Sequence, residues 1–269
     1  MTTLAEDLSA QTRDRLIRTL GLEELRGAEG PWLNLSRRFP GPGGREMEGQ
    51  GAMRLWQGPG IDRLVYVGYG VEGFGIDSHM LFVFPQPDSL VPVFTLDAVF
   101  MSAAFASMSG QKTTEDTYAF HLDLVPRCDP GTNLEYLRRC YQPLDGVQIE
   151  VDGADGISPA LISQTQRAVM SPWMLVGRAS GAAWESRVAP ATTAYLDHWL
   201  GLLDQGLEDL RPSMNGIIAA QRDRENRRLL FSREVDPVWE KMDRMVTAEK
   251  AEVMRRVLLN GGHPEEDSV

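Results

Sequence analysis

Two parts of the chain differ in the spacing of their apolar residues. Between residues 52 and 125, short aromatic and β-branched segments alternate with turn-forming clusters such as QGPGID and PQPDS. This alternation predicts antiparallel strands joined in chain order. The predicted strands cover residues 52–57, 63–69, 79–84, 91–100 and 117–125. No helix-length segment separates them, so we expect no parallel crossover connections in this part.

The C-terminal half carries apolar residues at intervals of three and four, which predicts amphipathic helices. The predicted helical segments are 133–144, 158–170, 192–207, 213–232 and 236–259, the last beginning with an Asp-Pro pair that suits a helix start. Residues 3–27 show the same spacing near the N-terminus. Strands followed by helices indicate an α+β fold in which helices cover an antiparallel sheet.

The segment FPGPGGREMEGQG, residues 39–51, is rich in Gly and Pro and has no apolar face, so we predict a loop. It would divide an N-terminal helical arm, residues 1–38, from one domain at 52–259. The polar tail 260–269 is expected to be disordered.

Composition limits the possible functions. The 269 residues are 42% hydrophobic, and the net charge of −11 argues against a broad nucleic-acid surface. No apolar run reaches the roughly 18 residues that span a bilayer, so we expect a cytoplasmic protein without a membrane segment. Two cysteines are too few for a disulfide framework. We expect a monomer or dimer.

Positive charge is concentrated near the C-terminal end. Residues 211–256 contain eleven Lys and Arg against eight Asp and Glu, a local excess on an acidic protein. Such a patch could receive an acidic partner, although solvated helix faces often look the same.

Common catalytic motifs are absent, since there is no Walker motif, HExxH or GxSxG. The glycines of GYGVEGFG, residues 68–75, lie between two predicted strands and favour a hairpin over a dinucleotide loop. His121 and Asp123 are two residues apart on a predicted strand, so their side chains share a face. They could orient a proton donor or form a hydrogen-bonded pair on a solvated face, and two ligands alone predict no metal site.

Asp97 lies within the predicted strand VPVFTLDAVF, where its neighbours are apolar. An unpaired buried carboxylate is costly, so it takes up a proton or finds a partner. Asp97 is therefore a candidate general acid, and a structural aspartate bonded to backbone amides or an arginine is the alternative.

The stretch FVFPQPDSLVPVFTLDAV resembles the ferredoxin-dependent bilin reductases. Their pattern has a Phe-Pro-x-Pro turn followed by an aspartate thirteen residues after its phenylalanine, the spacing of Phe84 and Asp97. Weaker matches follow the family's order at AMRLWQGPGIDRLVYV, FHLDLVP, SPWMLV and QRDRENRRLLF. The likeness covers about residues 50 to 258.

The resemblance implies a three-layer α/β/α sandwich with a central antiparallel sheet. It further implies a linear tetrapyrrole, such as biliverdin, bound between the sheet and the C-terminal helices. Family members bind no metal or flavin and take single electrons from ferredoxin, so an acidic ferredoxin would be the partner. The local basic excess suits such a partner.

The resemblance also implies a set of site residues. Asp97 would be the central proton donor, with Asp223 as a second catalytic carboxylate. The residues expected to bind substrate are His79, Met80, Phe94, His121, Asn226 and Arg227. The segment 222–228 would close over the pocket. The sequence leaves open whether His79 or Met80 faces that pocket.

Two other functions fit the same residues. The protein could bind or isomerise such a ligand without redox chemistry. It could also be an interaction module whose basic C-terminal helices dock an acidic protein and whose sheet has no pocket.

Overall fold

The computed structural model describes residues 2–28, 30–41, 44, 46–108, 115–160, 162–214 and 219–261. Its centre is an antiparallel sheet of ten strands in these ranges. The strands are β1 Glu23–Leu25, β2 Leu33–Asn34, β3 Arg37–Pro40, β4 Glu46–Gly58, β5 Ile61–Val71, β6 Ile76–Pro85, β7 Val93–Met101, β8 Thr117–Val125, β9 Ile157–Pro159 and β10 Leu175–Ala179.

The strand order is β1-β4-β5-β6-β7-β8-β10-β9, and β2 and β3 also pair with β4. Strands β4 to β8 form the meander that the turn spacing predicts. Glycines close the β5–β6 connection, where Gly75 takes the left-handed conformation (φ 62°) that its position after a short 3₁₀ turn requires.

Helices lie on both faces of the sheet. They are α1 Leu4–Leu20, α2 Ala103–Met108, α3 Leu134–Cys140, α4 Asp145–Val151, α5 Gln164–Val169, α6 Gly181–Ala183, α7 Ala189–Gln205, α8 Ala219–Leu230, α9 Val238–Val246 and α10 Ala248–Asn260. A π-helical turn, Trp184–Val188, joins α6 to α7. Short 3₁₀ turns cover Glu72–Phe74, Pro130–Thr132, Gln142–Leu144 and Glu208–Met214.

Alternation along the strands produces two cores. On β7, Phe94 and Leu96 face α1, α3, α4 and α7, and we name this side the α7 face. Strand residues that point to the other side of the sheet, such as Phe84 and Val125, pack against α9 and α10, and we name this side the α9 face. Because both faces are covered, central strands such as β5 are buried almost continuously and read as apolar runs.

The α+β class and the three-layer α/β/α sandwich with a central antiparallel sheet are confirmed. The predicted loop at 39–51 is wrong for residues 39–40, which belong to β3, and for residues 46–51, which belong to β4. The glycines of this segment suggested a loop, but Gly49 and Gly51 lie within the strand, against Tyr69 of β5. A Cβ at either position would collide with Tyr69.

The predicted N-terminal arm packs on the sheet. Helix α1 buries Ala5 and Leu16 in the core of the α7 face, and β1 to β3 pair with β4. The predicted helix 236–259 is interrupted at Thr247, whose φ of 101° separates α9 from α10. Of the predicted disordered tail, residues 262–269 lie outside the described residues.

Candidate active site

A cavity of about 190 Å³ lies between the sheet and the C-terminal helices on the α9 face. Its floor is formed by side chains of β6, β7, β8 and β10, and its roof by the segment from Phe231 to Met242. The described lining is mostly apolar and contains four methionines, Met80, Met170, Met174 and Met242. Methionine side chains are flexible and polarisable, so such a wall adapts to a flat unsaturated ligand.

Three neighbouring strands place Met80, Asp97 and His121 side by side on the cavity floor. The register pairs Met80 with Asp97 across β6 and β7, and Asp97 with His121 across β7 and β8. Asp97 Oδ2 lies 3.3 Å from His121 Nδ1. The carboxylate that the sequence places in an apolar strand therefore has a histidine as its partner.

Asp97 is less buried than its sequence neighbours suggest. Its side chain is 30% exposed because the cavity opens above it, whereas that of His121 is 14% exposed. Burial alone would lower the pKa of His121. The hydrogen bond to Asp97 and the negative charges of Asp97, Asp123 and Asp236 outweigh burial and raise this pKa above its ordinary value. His121 consequently favours the protonated state and can act as an acid.

Asp236 is a second carboxyl group in the cavity wall, and its only sequence signal is the Asp-Pro pair at a predicted helix start. Its Oδ1 accepts a hydrogen bond from the backbone N–H of Val238 at 3.0 Å, which fixes it at the beginning of α9. Burial raises the pKa of Asp236, the hydrogen bond from the Val238 N–H opposes this rise, and the nearby Asp97 charge adds to it. Asp97, His121 and Asp236 thus lie close enough for their charges to interact.

Polar atoms of three lining residues are buried without a hydrogen-bond partner in the described part of the chain. They are Asp97 Oδ1, His121 Nε2 and Trp239 Nε1. Buried polar atoms in native proteins nearly always have partners, so unpaired atoms around a cavity indicate a ligand or water that supplies them. The set offers one carboxylate acceptor and two N–H donors.

Asp123 shares the face of His121, as the spacing predicts, but it is fully buried. Its Oδ2 accepts a hydrogen bond from the backbone N–H of Ser171 at 2.9 Å, and its Oδ1 accepts one from the Ser171 hydroxyl. Burial raises the pKa of Asp123. Asp123 therefore anchors the Ser171 turn, which carries the chain into β10 and the methionine wall. Among the described residues, no group of three or more His, Cys, Asp or Glu could hold a metal ion.

Two of the predicted substrate-binding residues lie on the opposite face of the sheet. Phe94 packs against Trp199 of α7, with ring centroids 6.0 Å apart. His79 is hydrogen-bonded to Tyr66, also away from the cavity. The β5–β6 register is continuous through the glycines, so Met80 faces the cavity and His79 does not.

Asp223, Asn226 and Arg227 of α8 lie in a buried polar network outside the cavity lining. Asp223 joins Arg127 at 3.0 Å and Arg227 at 2.9 Å, while Arg227 also reaches Asp62 at 3.0 Å. The Asn226 amide donates to the Pro126 carbonyl. This network ties α8 to the start of β5 and the end of β8. The following segment, 231–242, covers the cavity in place of the expected 222–228.

Comparison with protein-family models and with curated proteins gave no match. A search of solved structures found tomato phytochromobilin synthase in complex with biliverdin, with a TM-score of 0.66 and 18% sequence identity. The match covers 95% of this chain and 83% of that chain. At this identity the comparison establishes the shared fold. No helix within the described ranges is long and apolar enough to cross a membrane.

Proposed function

We propose that the protein is a ferredoxin-dependent reductase of a linear tetrapyrrole or a similarly conjugated molecule, bound in the cavity of the α9 face. The unpaired atoms Asp97 Oδ1, His121 Nε2 and Trp239 Nε1 are the observation that carries this proposal. A linear tetrapyrrole has ring N–H groups for the carboxylate and terminal lactam oxygens for the two N–H donors. The shared fold of phytochromobilin synthase, whose structure contains biliverdin, supports the same ligand class.

The Asp97–His121 pair would supply protons. In the protonated pair, His121 Nδ1–H faces Asp97 and Nε2–H is left for the ligand, so the imidazolium is held ready to donate. Reducing one double bond requires two electrons and two protons. A one-electron donor delivers the electrons singly. The first electron gives a radical anion that is protonated to a neutral radical, and the second electron gives a closed-shell anion that takes up the second proton. Asp236, with its raised pKa, would supply the second proton or reprotonate His121.

The cavity must enlarge to admit such a substrate. Its volume of about 190 Å³ is below the roughly 300–1,000 Å³ of typical ligand sites. The cover between Phe231 and Met242 contains a turn followed by the short helix α9, and α9 ends at the unusual backbone of Thr247. We propose that this cover moves outward. No Lys or Arg occurs among the described lining residues, so the propionates of a bilin would lie at the opening.

An acidic electron donor would dock beside the opening. Helix α5, which contributes Gln166 to the cavity wall, packs against α8. Arg167 on α5 and Arg224 and Arg228 on α8 are exposed, and the two α8 arginines are one helical turn apart. A basic surface of this kind accelerates the association of an acidic protein. An electron donor docked on this surface would lie close to the bound ligand.

Absorption spectroscopy tests the proposal in two steps. We expect biliverdin to shift its long-wavelength band when it is mixed with the protein, with a one-to-one endpoint. Under anaerobic conditions, reduced ferredoxin should then convert the bound band to that of a reduced bilin. A shift without turnover would support the non-redox binding function, and no shift at all would contradict the cavity assignment.

The docking surface has its own test. In Arg224→Glu/Arg228→Glu, we expect kcat/KM for ferredoxin to fall about tenfold or more at low salt while biliverdin binding is retained. Arg18→Glu/Arg187→Glu makes the same charge change at exposed positions in the helical layer of the α7 face and serves as the control. Equal effects of the two double variants would contradict this docking surface.

A further inference from the structure

A second and larger recess lies on the other side of the sheet. It is a groove of about 830 Å³ between the N-terminal end of α1 and the glycine-rich ends of β4, β5 and β6. Its size falls within the range of small-molecule sites. Gly68 and Gly70 leave part of the sheet without side chains, so the groove has backbone for a floor. It shares no described lining residue with the cavity above Asp97.

A chain of polar side chains forms the inner wall of the groove. The Tyr66 hydroxyl lies 2.7 Å from His79 Nδ1, His79 Nε2 lies 2.9 Å from Asp77 Oδ1, and the Thr3 hydroxyl donates to Asp77 Oδ2 at 2.6 Å. Gly68 permits this arrangement, since a Cβ there would approach the Tyr66 oxygen to 3.1 Å.

The direction of the hydrogen bonds in this chain follows from the charge of Asp77. Burial opposes ionisation of Asp77, but the neighbouring His79 imidazole and the hydrogen bond from Thr3 hold its pKa below the ordinary value. Burial raises the pKa of Tyr66 to about 12, so its hydroxyl keeps its proton. An ionised Asp77 favours the His79 tautomer with hydrogen on Nε2. Nδ1 then accepts from Tyr66, whose oxygen retains lone pairs for a ligand.

His79 also has unused hydrogen-bonding capacity. The residue is only 4% exposed. Its Nε2 atom lies 2.9 Å from Asp77 Oδ1, close enough for an ion pair, but the two atoms do not form a well-aligned hydrogen bond. Nε2 has no other partner in the described part of the chain. Because buried polar atoms nearly always have hydrogen-bond partners, an incompletely bonded and deeply buried histidine in the wall of an open groove indicates that the groove binds a ligand.

The rim of the groove determines the sign of the charge that it accepts. Carboxylates surround the opening, contributed by Glu6 of α1, Glu46 and Glu48 of β4, and Glu72 of the β5–β6 turn. The Phe100 side chain and the Tyr66 ring supply apolar surface beside them. Arg13, whose guanidinium lies 4.8 Å from the Tyr66 ring centroid, is held by that ring.

We propose that this groove is a second binding site, for an organic amine that carries an apolar group. The ammonium would donate to the Tyr66 oxygen within reach of the Glu6 carboxylate, and the apolar part would lie over Gly68 and Gly70 against Phe100. Neither the tetrapyrrole nor the electron donor takes part in this site, so it stands independently of the reductase proposal.

Calorimetry with 4-phenylbutylamine and its neutral analogue 4-phenylbutan-1-ol tests the site. We expect the amine to bind at least about tenfold more tightly than the alcohol, because a hydrogen bond from a charged donor is stronger than one from a neutral donor. Tyr66→Phe should weaken binding of the amine about tenfold and binding of the alcohol by a smaller factor, because the alcohol donates the weaker hydrogen bond. Tyr195→Phe removes a hydroxyl that donates to the Trp173 carbonyl far from the groove, and should bind as wild type does.

Glu6→Gln provides a second variant in case Tyr66→Phe folds poorly, since it removes only a charge at the rim. The amine should also shift the imidazole NMR signals of His79 and leave those of His121 in place. Equal affinity for amine and alcohol, no amine binding at millimolar concentration, or unchanged amine affinity in both groove variants would overturn the proposal. Biliverdin titration of the same variants should match wild type, so failure of the tetrapyrrole site would be seen separately.

Discussion

Asp223→Asn distinguishes a structural role for the α8 network from a catalytic one. Asp223 accepts from the two buried guanidinium groups of Arg127 and Arg227, and both arginines are at most 3% exposed. The substitution keeps the shape and removes the charge between them. In the variant, Arg127 retains its hydrogen bonds to the carbonyls of Pro85 and Gln86, and Arg227 retains its ion pair with Asp62.

Removing one partner of a buried ion pair costs about 3–5 kcal/mol, out of a total stability of roughly 5–15 kcal/mol for a typical domain. We therefore expect Asp223→Asn to lower the free energy of unfolding by about 3 kcal/mol. Urea unfolding followed by circular dichroism measures this change.

Asp243→Asn is the matched control for that measurement. It breaks the Arg233–Asp243 pair, whose two side chains are partly exposed at the surface, and should leave the unfolding curve close to wild type. A loss of less than about 1 kcal/mol in Asp223→Asn, or curves that coincide for the two variants, would refute the structural assignment. At a temperature where Asp223→Asn is folded, it should still bind biliverdin, because Asp223 is not among the described residues lining the cavity.

Three further predictions concern the site and its cover. Folding raises the pKa of His121, so its contribution to stability is complete below its ordinary pKa of about 6.5 and is lost as the pH rises through the folded value. The difference in unfolding free energy between wild type and His121→Gln should therefore shrink between pH 5 and pH 8. A difference that does not depend on pH would contradict this prediction. Trp239→Phe should weaken biliverdin binding several-fold, corresponding to one lost hydrogen bond of about 0.5–1.5 kcal/mol, and titration at the visible band checks this. Thr247→Gly should raise the unfolding temperature. Glycine relieves a backbone strain of about 1–3 kcal/mol, which exceeds the roughly few tenths of a kcal/mol lost with the Thr247 side-chain cap on α10. A lower unfolding temperature would show that Thr247 is unstrained.

The central strands were predictable because local pattern determines them. Residues 52–125 contain short runs of aromatic and β-branched residues separated by turn-forming clusters, so most of β4 to β8 follows from the sequence. Strands β1 to β3 are two to four residues long and are held by pairing with β4, and no local signal marks them. The break at Thr247 was also invisible, because apolar residues continue at helical spacing on both sides of it.

The site was predictable only in part, since it depends on register between distant strands. The motif spacing singled out Asp97, and side-chain alternation placed His121 and Asp123 on one face. The sequence does not show that His121 lies opposite Asp97, because this depends on the register between β7 and β8. Asp236 and Trp239 reach the cavity through the packing of α9, and their only sequence signal was the Asp-Pro helix start. Asp223 and Asn226 were assigned to the site by the family resemblance of QRDRENRRLLF, and polar residues in a helix give no sign of whether they pair internally.

Anaerobic single-turnover reduction of the Asp97→Asn complex with biliverdin tests the central claim most directly. The claim is that the Asp97–His121 pair protonates a substrate that is reduced one electron at a time. Without the Asp97 charge, burial should dominate and leave His121 without its proton. We predict that Asp97→Asn still forms the one-to-one complex with biliverdin but stops after one electron, with an organic radical visible by electron paramagnetic resonance. Turnover at the wild-type rate with no radical would contradict the account.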